Sequence, residues 1–400
     1  MNAAEQPTSA TPILDRAKPF PPQDASTRSR RTLSFVLWMA LGAAFGVIIG
    51  TPALSGGLST RLLAQVAALF PDGVDGAGMV GIILSIALAF FVGIVIHEAA
   101  HAVVGALVGF RLISIRVSRF QLDLPFKFTI YRGTGTGAGG WVSLVPQKRD
   151  NLALRAVAMI AAGPLSNLLT AAILILLPFS KGFFVLFFII ASTALGAINL
   201  IPFRHRAQLS DGRRIVMLLS SRARGERWLA ILRLIADLAD GTPPESLSRE
   251  YIALAIAVRD NTSDTVTAYA LAYSSAFHRR DNEEAGRMLE VALQHAGYAA
   301  PILRQALMTD AAVFQGRRRR RADLAEAWLG DMPARTEIPW LRDLAEAGVL
   351  ESRGDVPGAL AMLGRADEKI RAESNPVRRD LSRRSLERWR NDLNEKPAVS

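Results

Sequence analysis

Cysteine is absent from the 400 residues. No disulfide framework and no thiolate metal site can therefore form, and any metal must be held by His, Asp or Glu. Acidic residues are in deficit as well: 36 Asp and Glu face 47 Lys and Arg, a net charge of +11. Such an excess can signal nucleic acid, but here much of it flanks apolar runs, where the positive-inside rule accounts for it. No nucleic-acid partner is expected. Half of the residues are hydrophobic, which suits a partly membrane-embedded chain better than a soluble enzyme.

Residues 1–31 are rich in Pro, Ser, Thr and Ala, lack an apolar period and end in Arg28, Arg30 and Arg31. They read as a disordered, basic, cytoplasmic tail. The apolar run 33–49 begins late for a signal peptide and is near the length that crosses ~30 Å of hydrocarbon. It reads as a first transmembrane helix. Residues 51–78 carry one basic residue, Arg61, against Asp72 and Asp75, with 59–70 patterned as a short amphipathic helix. Further spans are expected from Met79 to about Phe110, over 154–177 and over 183–201. Basic residues gather after the second of the four spans and again after the fourth, at Arg204, Arg206, Arg213 and Arg214. One orientation satisfies this pattern: a multi-pass protein of the plasma (inner) membrane, with both termini cytoplasmic and a membrane domain over 32–215.

Between the second and third spans the pattern changes to strand-like alternation. Ile113, Ile115 and Val117 point one way and Ser114, Arg116 and Ser118 the other; Phe126-Lys127-Phe128-Thr129-Ile130-Tyr131 repeats the habit. Gly133, Gly135, Gly137, Gly139 and Gly140 precede Trp141-Val142-Ser143-Leu144-Val145. No Lys-Ser/Thr follows this glycine run and no helix opens on it, so hairpin turns suit it better than a phosphate loop. A small membrane-associated sheet over 112–146 would offer an edge to an extended peptide.

Residues 216–400 hold no further run of membrane length. They are amphipathic helices rich in Ala, Leu, Arg and Glu. Helix-turn-helix units turn at Arg280-Asp281-Asn282 and Gly354-Asp355-Val356, and Ala285 and Ala359 open their second helices 74 residues apart. Half that spacing is close to a tetratricopeptide-like period. A middle unit near 306–328 fits poorly, because the arginine run 317–321 breaks it. That run reads as a solvated turn, with anionic lipid or an acidic partner as the lesser alternative. The whole chain is thus expected to be a mainly α membrane protein. It has about four transmembrane helices, a small β-rich loop, and a cytoplasmic helical repeat-like domain offering a surface to protein partners.

The chemistry concentrates in His97-Glu98-Ala99-Ala100-His101, set in an otherwise apolar run. Polar groups in such a segment cost several kcal/mol, roughly 2.5–3.5 on insertion scales, and therefore need a use. On a helix His97 and His101 lie one turn apart on one face and can reach a single cation. Nitrogen and oxygen donors suit zinc. Glu98 can take a proton from an attacking water and return it to a leaving amine. A zinc hydrolase needs a third protein ligand. Asp211, in Leu209-Ser210-Asp211-Gly212, is the best candidate, because the topology brings it to the same membrane face.

His97-Glu98-Ala99-Ala100-His101, Gly163-Pro164-Leu165-Ser166-Asn167, and Asn199-Leu200-Ile201-Pro202 leading to Asp211-Gly212 together resemble the site-2 protease family. These are zinc metalloproteases that cut peptide bonds within the membrane, and the resemblance covers about 79–215. It implies His97, His101 and Asp211 as zinc ligands and Glu98 as general base and acid. It also implies Asn167 at the substrate carbonyl or oxyanion; interhelical hydrogen bonding is the alternative for this residue. Transmembrane proteins would be the substrates, with an unwound segment added to the 112–146 sheet as a strand. Residues 203–210 make the approach to Asp211 longer than the family pattern, which leaves His205 as a fallback ligand. A non-catalytic membrane adaptor recruiting partners through the helical domain is the competing reading. A transporter is a third, disfavoured by the lack of an internal repeat among the spans.

Overall fold

The structure is a computed structural model and describes residues 13–15, 76–130, 139–177, 182–205, 208–220 and 222–395. The expected first span at 33–49, the amphipathic segment 59–70, most of the basic tail and the glycines at 133, 135 and 137 lie outside the described residues.

Three apolar helices form one packed group: α1 (Gly76–Leu107), α2 (Leu152–Leu176) and α3 (Phe183–Leu200). Two of them, α1 and α2, are long and apolar enough to cross a membrane. The third has 18 residues, or ~27 Å at 1.5 Å per residue. Helices this apolar would form the buried core of a soluble protein. Here only 17% of the most apolar stretch of α1 and 33% of that of α2 is buried. Ile83, Leu84 and Val103 on α1 and Leu154, Leu169 and Leu176 on α2 are exposed, whereas His97, Glu98 and Asn167 are buried. Apolar groups face outward and polar groups inward.

Between α1 and α2 the chain forms a four-stranded antiparallel sheet in the order β3-β2-β1-β4, from β1 (Phe110–Val117), β2 (Phe120–Asp123), β3 (Lys127–Ile130) and β4 (Gly140–Pro146). The expected alternation in β1 is only half realised. Ile113 and Val117 are buried, but so are Ser114 and Arg116. A register shift between Leu112 and Ser114 re-aims the strand. Ile113 and Val145 share a small core with Ala236, so a later helix covers that face of the sheet.

After α3 the residues that lengthen the approach to Asp211 fold into a two-residue hairpin, β5 (Arg204–His205) against β6 (Gln208–Leu209). Helix α4 (Asp211–Ser220) then starts on Asp211 itself, and α5 (Arg222–Ala239) and α6 (Arg249–Ile256) follow. Helical structure therefore begins a little before residue 216.

The remainder contains three helical hairpins: α7 (Ser263–His278) with α8 (Asn282–Gln294), α9 (Pro301–Val313) with α10 (Ala322–Asp331), and α11 (Leu341–Ser352) with α12 (Val356–Arg371). Helix α13 (Pro376–Asn394) closes the array. The two turns read from the sequence share their chemistry. Arg280 and Gly354 have positive φ, and the Asp281 and Asp355 carboxylates cap the next helix by accepting from Glu284 N and Gly358 N. The middle unit, which fitted poorly in sequence, uses the same backbone with other residues. Its first helix runs on into a π-helical turn over Phe314–Arg318, Arg320 takes the positive φ, and Arg321 stands where the capping aspartates stand elsewhere. The arginine run is not wholly solvated: the Arg317 side chain is 9% exposed, bonds Asp392 and lies over Trp389.

Several contacts tie this array to the rest, among them the packing of α7 on α5 and α6 and the ion pair Arg214–Asp264. The α12–α13 connection reaches the sheet, where the Ser374 hydroxyl donates to the buried Asp123 carboxylate at 2.6 Å and Lys127 donates to the Ala372 carbonyl. The stretch Ile13–Asp15 forms one helical turn whose Leu14 is buried in the core of the array. The expected disordered tail is therefore interrupted at these three residues.

Candidate metal centre

Helix α1 carries His97 and His101 one turn apart, with ring centroids separated by 4.7 Å and planes nearly perpendicular. Met159 on α2 fixes the second ring: its carbonyl accepts from His101 Nδ1 at 2.8 Å. The proton is thereby held on Nδ1, and the Nε2 lone pair faces the site.

Asp211 arrives from below through Ser210. The Ser210 hydroxyl donates to the Ile201 carbonyl at 2.7 Å and accepts from Phe203 N and Arg213 N. One side chain thus closes the base of the β5–β6 hairpin and caps α4. Gly212 lets α4 abut the end of α3, since a Cβ there would collide with the Leu200 carbonyl. The added length of 203–210 is absorbed in the hairpin and does not displace Asp211. The carboxylate lies in the first turn of α4, where the helix dipole favours negative charge. Burial acts to raise its pKa, but hydrogen bonds and charge from His101 and His97 outweigh this and hold it below the usual value.

The three donors converge. Asp211 Oδ2 is 3.1 Å from His97 Nε2 and 3.7 Å from His101 Nε2, and suitable ligand atoms of all three residues lie within 4.8 Å of one another. A tetrahedron with bonds of ~2.0–2.1 Å has edges of about 3.3 Å, so the observed separations bracket that of a zinc-sized cation. Gly163 supplies the room, because a Cβ there would run into the Nε2 atoms of both histidines. Donor type, spacing and cradle all fit a divalent metal.

Glu98 is buried beside the two histidines, and Gly140 at the start of β4 leaves space for its side chain. A cavity of about 710 Å³ opens over the group, lined by Glu98, Gly140, Trp141, Asn199 and Asp211 among others. Of the described strands, β4 pairs only with β1 and so presents its other edge beside this cavity.

Asn167 is fully buried on α2, with Nδ2 at 3.4 Å from His97 Nδ1, while its own Oδ1 has no partner. Turning the amide end for end places Oδ1 on His97 Nδ1–H. That satisfies the stranded oxygen and frees the His97 Nε2 lone pair. The interhelical alternative from the sequence is the contact observed. His205 lies in β5, and its side chain is outside the described residues.

Of the sequence-derived candidates, His97, His101, Asp211, Glu98 and Asn167 are brought together. Gly163, Gly140, Met159 and Ser210 are additions. Gly163 was visible as part of the quoted motif, but its role depends on where α2 crosses α1. Met159 acts through its main chain and leaves no signal in side-chain identity. No protein-family model, curated protein or solved structure matches this chain.

Proposed function

We propose that this chain is a zinc-dependent intramembrane endopeptidase of the site-2 type, acting on transmembrane segments of other proteins. The observation that carries the reading is the convergence of His97, His101 and Asp211 over Gly163, beside a buried Glu98, inside helices whose outer surfaces are apolar.

His97, His101 and Asp211 would hold the ion, which supplies Lewis acidity toward a peptide carbonyl and toward water. Glu98 accepts the proton of the attacking water and returns it to the departing amine nitrogen. Asn167 orients His97 through Nδ1, and an oxyanion role for its amide is the second reading of this residue. A peptide bond within a helix is shielded by its own hydrogen bonds, so substrate must be extended before attack. The edge of β4 that no other described strand pairs can receive it as an added strand alongside Glu98.

Four membrane crossings with both termini cytoplasmic fit this reading. The packing of Leu14 in the helical array supports residues 13–15 and the array lying on one side of the membrane. Such a placement goes with an even number of crossings between them, of which α1, α2 and the shorter α3 would supply three. The apolar run 33–49 is the natural fourth. The repeated hairpin turns support a tetratricopeptide-like array for the cytoplasmic part.

The test is metal analysis of purified protein together with cleavage of a membrane-embedded peptide. About one zinc per chain is expected. A Glu98→Gln variant should keep the zinc and lose cleavage, and full cleavage by that variant sinks the mechanism. Undetectable zinc, with partner binding untouched by His97→Ala, supports the adaptor reading instead.

A further inference from the structure

Leu14 is 1% exposed and belongs to the core of the helical array, although 60 residues of intervening sequence separate Asp15 from the start of α1 at Gly76. Its surroundings recognise main chain. Glu290 on α8 directs one carboxylate oxygen at Ile13 N and the other at Leu14 N, each at 2.9 Å. The Leu14 carbonyl accepts from Gln315 Nε2 at 2.8 Å and from the Trp328 indole at 3.1 Å. Gln315 also donates to Asp15 Oδ1, and Arg319 forms an ion pair with the same carboxylate. Gly286 leaves room for Arg319 and for the Phe314 ring beneath it.

This differs from a chain end packed onto a core. One apolar side chain fills a pocket, one carboxylate reads two successive N–H groups, two donors read one C=O, and a cation reads the following acid. Gln315 is 0% exposed and its own Oε1 has no partner, so its amide is oriented by what it gives to the segment. Short peptide turns are bound through such a combination of main-chain bonds and a single side-chain anchor.

We propose that the helical array carries a receptor site for a short peptide turn of the pattern apolar-Leu-Asp, and that Ile13-Leu14-Asp15 occupies it in cis as a self-ligand. A partner bearing the same chemistry binds by displacing this segment. A self-ligand carried on the same chain as its site acts at an effective concentration on the order of mM. A free peptide of ~10 µM intrinsic affinity is therefore weakened ~100-fold by the intact chain.

The experiment uses the full-length protein in detergent and a fluorescent peptide of residues 10–18. A Leu14→Glu variant is expected to bind the peptide about 100-fold more tightly than the wild-type chain. Adding Glu290→Ala to that variant should abolish the gain, and a peptide with Glu in place of its leucine should not bind. Equal binding by wild type and Leu14→Glu overturns the proposal. A second arm keeps Leu14. The chain has no native cysteine, so Asp15→Cys with Arg319→Cys provides the only pair for a short bismaleimide. Cross-linking that falls as the 10–18 peptide is raised to mM supports displacement; cross-linking indifferent to the peptide shows a fixed strap and overturns it.

Discussion

The Asn167 amide lies 3.4 Å from His97 Nδ1, while Asp211 lies 3.1 Å from Nε2 of the same ring. The first turn of α4 and the middle of α2 thus grip one imidazole of α1 from both nitrogens. Partners of this outer kind typically account for 10–100-fold in metal affinity. Asn167→Ala should weaken zinc binding by that factor, read by competition with a chromophoric chelator. Unchanged affinity with reduced turnover would return Asn167 to the oxyanion role.

Gly163→Ala separates metal binding from folding. In a helix interior alanine is favoured over glycine by ~1 kcal/mol, so helix propensity alone does not destabilise the variant. The added methyl enters the space between the two Nε2 atoms. Zinc content should fall to background while the metal-free thermal midpoint is maintained.

Ser210 holds Asp211 in place through three hydrogen bonds. Removing a capping hydroxyl costs about 1 kcal/mol, and the hairpin bonds add to it. Ser210→Ala is expected to lower stability by about 1–2 kcal/mol and zinc affinity with it. Thermal unfolding and zinc titration of the same preparation measure both.

His97, Glu98 and His101 are neighbours on one helix, so spacing alone brings them together. Asp211 depends on how 203–210 folds, and a hairpin closed by one serine cannot be inferred from its length. The outer hairpin turns were legible because Asp281 and Asp355 advertise their caps. The middle one was not, because Arg320 and Arg321 adopt the same backbone without the usual residues. Ile13-Leu14-Asp15 has too few residues to show any period, and its partners lie 276 to 314 positions away.

A buried ion pair gives the helical region a defined response to acid. Arg227 is 1% exposed and bonds Asp260, which also accepts from Thr262 and Thr265. Desolvation acts to raise the Asp260 carboxyl, but these partners outweigh it and hold it at about 2, below its ordinary 3.8. A carboxyl depressed on folding contributes stability above its unfolded pKa, and that contribution disappears as pH falls through the folded value. The stability difference between wild type and Asp260→Asn should be constant above about pH 5 and shrink between pH 4 and 2. Chemical denaturation at stepped pH measures it; a difference that grows on acidification contradicts the assignment.

The hydroxyl of Ser374 and the carbonyl of Ala372 hold β2 and β3 from the far end of the chain. The α12–α13 connection therefore acts as a strut beneath the sheet whose opposite edge borders the cavity over His97, His101 and Asp211. Cutting the chain directly after α12 would uncover the Asp123 carboxylate and remove Val377 from the apolar seam at Ile113 and Val145. Truncation thus perturbs the wall of the metal compartment as well as any partner-binding surface, and point variants at Ser374 or Lys127 are the cleaner way to loosen that wall.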